Sequence, residues 1–381
     1  MTGPDILVVA GEASGDQHGA ALVGALQRRD PTLRFFGMGG KRLGERGVEL
    51  LFGAHEVNVM GLVEVLPKIP RILRVMKGLE DAARQRRPAL AILVDIPDFN
   101  LRLAKKLKAQ GIRVAYYVSP MIWAWRTSRV RQIARVVDEM LCILPFEEEF
   151  YRRHGVRARF VGSPVVEQVP QPDTASAFRQ QLGLADRPTL ALLPGSRMSE
   201  IRRILPVMVE SAKALLAERP DLQVVVPVAP TIERAEITSR FEGSGVTPII
   251  VEGRAPEAVG ASDAAIVASG TATLEAGLML RPFVVVYKMS WLTYLVGRLM
   301  LKVAHVSLVN LLANKRIVPE LLQHEMTAVK ILAEPRRVWS DGPERTRMVT
   351  ELAAVRTSLG GAGAADKAAD AVLELLRAQN G

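Results

Sequence analysis

The sequence predicts two α/β domains in tandem, each a parallel sheet flanked by helices. Three observations carry that expectation. Short, continuous apolar runs of strand length recur along the 381 residues, as in strands buried on both faces. They alternate with stretches of helical spacing, the strand–helix–strand rhythm of parallel sheets. The pattern then restarts near Thr189, after a Pro-rich linker at residues 164–172. A chain of this length also exceeds one ordinary core.

Composition narrows the classes. The chain is 49% hydrophobic and 24% charged, as expected of a globular protein. Its net charge of +10 and pI near 9.9 suit nucleic acid, an anionic membrane surface or anionic small substrates. Aromatic residues are 5% and no aromatic-rich basic strand offers base stacking, so no nucleic-acid partner is expected. The single cysteine, Cys142, lies in an apolar run and reads as a core thiol in a reducing compartment. The N-terminus enters a strand directly, with no signal-like segment, and no apolar run approaches the ~20 residues of a membrane span. A cytoplasmic protein is expected, with attachment to a surface left open.

In the first half, residues 5–10 form a strand that ends in Gly11-Glu12-Ala13-Ser14-Gly15-Asp16, before a helix at 17–28. This is the opening of a Rossmann-like unit without the G-x-G-x-x-G fingerprint. Glu12 and Asp16 would repel a pyrophosphate, so the turn suits a hydroxyl-bearing ligand held by Glu12, Ser14, Asp16 and His18; taken alone, His18 reads more readily as an exposed first-turn helix residue. Residues 34–36 are a second strand. Residues 59–79 are apolar with Lys68, Arg71, Arg74 and Lys77 at three-residue spacing, a slanting stripe on a helix. Such a helix can lie on an anionic membrane, with Leu66, Ile69, Leu73 and Met76 entering the headgroup boundary, or pack as an ordinary surface helix.

The strand at 90–94 ends in Asp95-Ile96-Pro97-Asp98-Phe99-Asn100. Pro97 cannot continue it, and a helix at 101–110 follows. Asp98 is therefore expected in a strand-to-helix turn at the carboxyl edge, where ligands bind. It is either a general base or, like Asn100, a helix cap. A strand at 113–118 leads to Ser119-Pro120-Met121-Ile122-Trp123-Ala124-Trp125, whose tryptophans line an acyl or sugar site or close the core. Strands at 139–144 and 158–161 complete the half.

In the second half, the strand at 189–193 ends in Pro194-Gly195-Ser196-Arg197 before a helix at 201–218. Arg197, with Arg202 and Arg203 nearby, favours an anion. Strands at 223–228, 249–251 and 264–268 follow. The last leads into Ser269-Gly270-Thr271-Ala272-Thr273-Leu274-Glu275. Its N–H groups and helix dipole suit a phosphate, with Glu275 placed for ribose hydroxyls; a capping box is the alternative. A strand at 283–287, an apolar helix at 291–303 and an amphipathic helix at 364–378, with Val372, Leu373, Leu375 and Leu376 inward, complete the chain. Neither Asp-x-Asp, H-E-x-x-H, a P-loop nor G-x-S-x-G occurs, so neither a metal nor a cofactor is expected.

Five stretches, taken in order, resemble the lipid-A-disaccharide synthase family: Gly-Glu-Ala-Ser-Gly-Asp at 11–16, Asp-Ile-Pro-Asp-Phe-Asn at 95–100, Ser-Pro-Met-Ile-Trp-Ala-Trp at 119–125, Leu-Pro-Gly-Ser-Arg at 193–197 and Ser-Gly-Thr-Ala-Thr-Leu-Glu at 269–275. The resemblance implies an inverting GT-B glycosyltransferase with two Rossmann-like domains facing across a cleft: an acceptor and membrane-facing domain at 1–166, a UDP-sugar domain at 173–345 and a helical tail at 346–381. The implied substrates are UDP-2,3-diacylglucosamine and 2,3-diacylglucosamine 1-phosphate, and the products are the β-1,6-linked lipid A disaccharide 1-phosphate and UDP, in lipopolysaccharide biosynthesis. Gly195, Ser196, Arg197, Ser269, Gly270, Thr271, Thr273, Glu275 and Asn310 would hold the donor. Ser14, Asp16, His18 and Asn100 would hold the acceptor. Asp98 would be the base, with Glu12 as backup or orienting partner. The protein would sit on the inner membrane surface from the cytoplasmic side, with a homodimer left open. Two positions depart from the family pattern: Ser163 where it usually has His, and Val309 where Pro is expected. Rival readings are another GT-B enzyme acting on UDP-N-acetylglucosamine, such as an epimerase or a lipid-linked-sugar transferase, and a non-catalytic binder of anionic lipid.

Overall fold

The computed structural model describes residues 3–57, 69–125, 127–289 and 304–378. Of the expected elements, the helix at 291–303 and the start of the basic stripe, with Leu66 and Lys68, lie outside the described residues, as does the Trp125 side chain. The chain forms two units, one of residues 1–164 with 359–381 and one of residues 165–358.

The first unit is built on a seven-stranded sheet of order β3-β2-β1-β4-β5-β6-β7. Its strands are β1 (Asp5–Ala10), β2 (Arg34–Gly39), β3 (Glu49–Gly53), β4 (Leu90–Val94), β5 (Arg113–Tyr117), β6 (Glu139–Cys142) and β7 (Ala158–Phe160). All pair in parallel. Helices cover both faces, which is why β1 and β4 are almost wholly apolar. Leu7 and Val9 enter one core layer, while Ile6, Val8 and Ala10 enter the other. Cys142 is buried in β6, as its apolar context predicts.

The second unit has six parallel strands in the order β10-β9-β8-β11-β12-β13. They are β8 (Thr189–Leu193), β9 (Gln223–Val228), β10 (Pro248–Glu252), β11 (Ala264–Ala268), β12 (Phe283–Tyr287) and β13 (Glu320–Leu322). In each sheet the order reverses at the first strand, between β1 and β4 and between β8 and β11.

Several boundaries differ from the sequence expectation. β3 and β13 are edge strands without a clean apolar run, and the sequence reading misses both. The basic stripe belongs to a helix spanning Ile69–Arg86. The helix after β4 begins at Pro97, because proline suits the first helical position; Asp98 therefore lies inside the first turn rather than in a loop. The expected independent tail at 346–381 is corrected. Pro343–Ser358 belongs to the second unit, whereas Ala364–Arg377 packs in the first. Ala368, Ala369, Ala371, Val372 and Leu375 share a core cluster with Leu22, Val23 and Leu26 of the helix Ala13–Arg29. Arg29 pairs with Asp366 and Asp370 at 2.7 Å each. Among the described residues no helix is long and apolar enough to cross a membrane.

Candidate active site

Ligands of doubly wound sheets collect beyond the carboxyl ends of the strands, where the strand order reverses. In the first unit that point joins the turns after β1 and β4, brought level by the pairing of Ala10 with Val94. Glu12 leads into the helix Ala13–Arg29 and is exposed. Asp95 directly follows β4. Asp95 and Ile96 have φ of +53° and +38°, a left-handed conformation rare outside glycine and rarer for a β-branched residue.

Four hydrogen bonds hold this turn. The Asp95 N–H donates to Tyr117 O at 3.1 Å. Its carbonyl accepts from Asn100 Nδ2 at 2.8 Å and from the Tyr116 hydroxyl at 2.5 Å. Asn100 Nδ2 also donates to Val94 O at 3.1 Å. A Cβ on Gly11 would lie 2.5 Å from Ile96 Cδ1, so a larger residue there would push the Ile96 side chain aside. The result is a half-buried Asp95 carboxyl near Glu12. Burial first, and the Glu12 charge second, push its pKa up to about 6, into the range of a working general base.

The sequence candidates here fare differently. Asp98 is exposed and accepts a hydrogen bond from Arg129 Nη2 at 2.6 Å. Asn100 is fully buried and braces the Asp95 turn, so its expected acceptor contact is corrected to a structural role. Asp16 is likewise corrected. Its Oδ1 accepts from the N–H of Gly40 at 2.7 Å and of Leu43 at 3.2 Å, and its Oδ2 from that of Arg42 at 2.9 Å; it caps the helix Lys41–Glu45. Ser14 is exposed. His18 is half-buried, edge-on to the Tyr117 ring at 6.3 Å between centroids, and burial lowers its pKa. Trp123 is tied inward, its indole N–H donating to Glu147 Oε1 at 3.0 Å. Glu147, which the sequence reading misses, also accepts from the Leu144 N–H at 3.2 Å. Burial pushes its pKa up to about 7.

In the second unit a cavity of about 780 Å³ opens at the corresponding point. Gly195, Ser196, Arg197, Ser269, Gly270, Thr271 and Glu275, among the residues expected to hold the donor, line it. The structure adds Arg254, Tyr287 and an apolar wall that includes Val228, Ala229 and Pro256. Gly270 has φ of +152°, with no atom within 4 Å of where a Cβ would stand, so backbone faces open space there. Burial raises the pKa of the half-buried Glu275 carboxyl.

The Ser196 and Arg197 N–H groups are already taken by Glu200 Oε2, at 3.1 and 3.3 Å. What the 194–200 turn offers an anion is therefore the Arg197 side chain, 64% exposed and 3.7 Å from Glu200. Thr273 and Asn310 do not line the cavity and are corrected to structural roles. The Thr273 hydroxyl donates to Gly270 O at 2.8 Å and accepts from the Leu308 N–H at 3.3 Å. Asn310 Oδ1 accepts from the N–H groups of Ile317 and Val318, and its Nδ2 donates to Val318 O and Glu320. Val309, where the resemblance leads one to expect Pro, is fully buried against Gly277.

Residues 6–365 match the family model described as Lipid-A-disaccharide synthetase. The chain belongs to the lipid-A-disaccharide synthetase family. It is 72% identical to the lipid-A-disaccharide synthase of Myxococcus xanthus, over 98% of each chain. Against that of Anaeromyxobacter dehalogenans it is 55% identical, over 98% of this chain and 97% of the other. The solved structure of the calicheamicin glycosyltransferase CalG4 matches with a TM-score of 0.61 at 15% identity, over 99% of both chains. That likeness shows the fold, the two-sheet GT-B architecture. As a member of the lipid-A-disaccharide synthetase family, the chain is a glycosyltransferase.

Family membership directs attention to the helix Ile69–Arg86. Ile69 and Leu73 are 39% and 54% exposed, and Arg71, Arg74 and Lys77 are exposed beside them. Arg71 lies 3.3 Å from Glu56. Met76, expected at the membrane, is corrected: it is buried in the core with Val75, Leu79 and Ala83, on the same side of the helix as Ile69 and Leu73 but further along it.

Proposed function

We propose that the enzyme transfers diacylglucosamine from UDP-2,3-diacylglucosamine to 2,3-diacylglucosamine 1-phosphate with inversion, releasing UDP and the β-1,6-linked disaccharide 1-phosphate. The carrying observation is the Asp95 site: a strained turn, braced by buried Asn100 and Tyr116, that presents a carboxyl with a pKa near 6 at the switch point of a family glycosyltransferase. The acceptor hydroxyl must lose its proton as it attacks the anomeric carbon, and a positioned base contributes roughly 10²- to 10⁴-fold. Asp95 suits this better than Asp98, whose carboxylate is exposed and engaged with Arg129. Glu12 holds the Asp95 pKa near the working range and can orient the sugar.

In the second unit the UDP leaving group gains negative charge. Arg197, Arg254 and the Gly270 and Thr271 N–H groups stabilise it, while Glu275 takes the ribose hydroxyls; the Ser269 N–H is already engaged by Val286 O at 2.9 Å. Cations in the cavity wall supply that stabilisation without a metal, so activity is expected to persist in chelator. The decisive experiment incubates the protein with both diacyl substrates in chelator and detects products by mass spectrometry. Disaccharide 1-phosphate with equimolar UDP is expected. Recovery of a C2-epimerised nucleotide sugar, or of no coupled product, would overturn the reading.

A further inference from the structure

The ion pair between Arg129 and Asp98 plays no part in proton removal, yet it is built unlike an ordinary surface pair. The carboxylate is 69% exposed and the arginine only 26%. The cation is the sheltered partner, rising from the 3-10 turn Thr127–Arg129 to meet the first turn of the helix Pro97–Ala109. Asp98 Oδ1 engages one edge of the guanidinium, through Nη2 at 2.6 Å, and no other side-chain hydrogen bond of Arg129 occurs among the described residues. The rest of its rigid N–H fork remains, a shape matched to the oxygens of a phosphate. Asp98 follows Asp95 by three residues, and the charges of both act on the buried Tyr116 hydroxyl, so the ion pair lies beside the Asp95 turn. An acceptor sugar whose primary hydroxyl meets Asp95 therefore has Arg129 within its neighbourhood.

We infer that Arg129, braced by Asp98, binds the phosphate monoester of the acceptor sugar and sets the preference for a phosphorylated acceptor. This rests on the transfer reading above. Asp98 is then a positioning residue: it pins the guanidinium at the rim of the site rather than accepting the proton.

The test compares two acceptors, diacylglucosamine 1-phosphate and its dephosphorylated form, in neutral detergent micelles with saturating donor. In wild type, kcat/KM should favour the phosphorylated acceptor. Arg129→Gln should lower kcat/KM for that acceptor by roughly 10- to 100-fold, mostly through KM, with less than threefold change for the dephosphorylated one. Arg129→Lys should fall between them, since it keeps the charge but loses the fork. Asp98→Asn should show the same selective loss, at smaller size. An equal loss for both acceptors in Arg129→Gln would overturn the inference and mark the pair as structural. So would unchanged discrimination with weakened sedimentation on anionic phospholipid vesicles, which would assign Arg129 to a lipid headgroup. Failure of wild type to couple either acceptor would instead sink the transfer reading.

Discussion

Asp95 and Asp98 stand three residues apart, yet their surroundings give them different chemistry. Asp95 is half-buried near another carboxylate, and Asp98 is exposed against a guanidinium. The base must be ionised, so kcat/KM should fall as pH drops through about 6, the Asp95 value. Asp95→Asn should cost roughly 10²-fold or more and abolish that acid limb, whereas Asp98→Asn should keep it. Asp95→Asn within threefold of wild type would return the role to Asp98. The motif at 95–100 was legible as a candidate site, but not which of its two carboxylates is half-buried and which is exposed. The left-handed turn that aims Asp95 depends on Tyr116, twenty-one residues away, and no local pattern shows that. Asp16, Asn100 and Asn310 carried the same ambiguity: a polar side chain in a loop motif bonds either a ligand or the backbone, and burial decides.

Glu147 gives a stability prediction at the same scale. Burial raises its pKa from 4.5 to about 7. A raised folded-state value means that its contribution to stability is fully present below the unfolded value and lost as pH rises through about 7. At roughly 1.4 kcal/mol per pH unit, that is about 3 kcal/mol. Urea unfolding of wild type should weaken by that order between pH 4.5 and 7.5. Glu147→Gln should flatten the change, although it loses an acceptor for Trp123 or Leu144. Identical pH slopes for the two proteins would show that Glu147 is already ionised at low pH.

At the scale of elements, the helix Ile69–Arg86 buries apolar side chains from Val75 onward and leaves others exposed in its first turns. Val75, Met76, Leu79 and Ala83 hold it to the sheet, leaving Ile69, Leu73, Arg74 and Lys77 outward. Each cation near an anionic leaflet contributes about 1 kcal/mol. Ile69→Ser with Leu73→Ser should lower sedimentation with anionic vesicles at an unchanged melting temperature. Arg74→Gln with Lys77→Gln should also reduce the salt dependence of what binding remains. Wild-type sedimentation in both variants would make the helix an ordinary surface element. Strands such as 90–94 and 264–268 were legible because both their faces are buried; β3 and β13, at sheet edges, lack that pattern. The basic stripe gave the outward face of this helix but assigned Met76 to it, since three-residue spacing alone does not fix which neighbouring apolar residues turn inward.

At the scale of the molecule, the chain passes between its units twice, at 164/165 and at 358/359. The sequence made the last helix look like an appendage because its partner, Ala13–Arg29, lies at the opposite end of the chain. Val372 and Leu375 are 1% and 5% exposed. Burying two such side chains stabilises by roughly 3–6 kcal/mol, a large part of the 5–15 kcal/mol typical of a whole domain. Asp366 and Asp370 add ion pairs to Arg29, and Arg113 donates to the carbonyls of Leu375 and Ala378. A chain ended at Ser358 should therefore lose the first unit while keeping the second. Calorimetry should find UDP affinity within threefold of the full chain, because all residues lining the cavity proposed for the donor lie in 165–358. Transfer should be abolished, and near-UV dichroism should lose the share of the signal that Trp123 supplies. A truncated chain that still joins the two sugars at the wild-type rate would show that the first unit stands without its last helix.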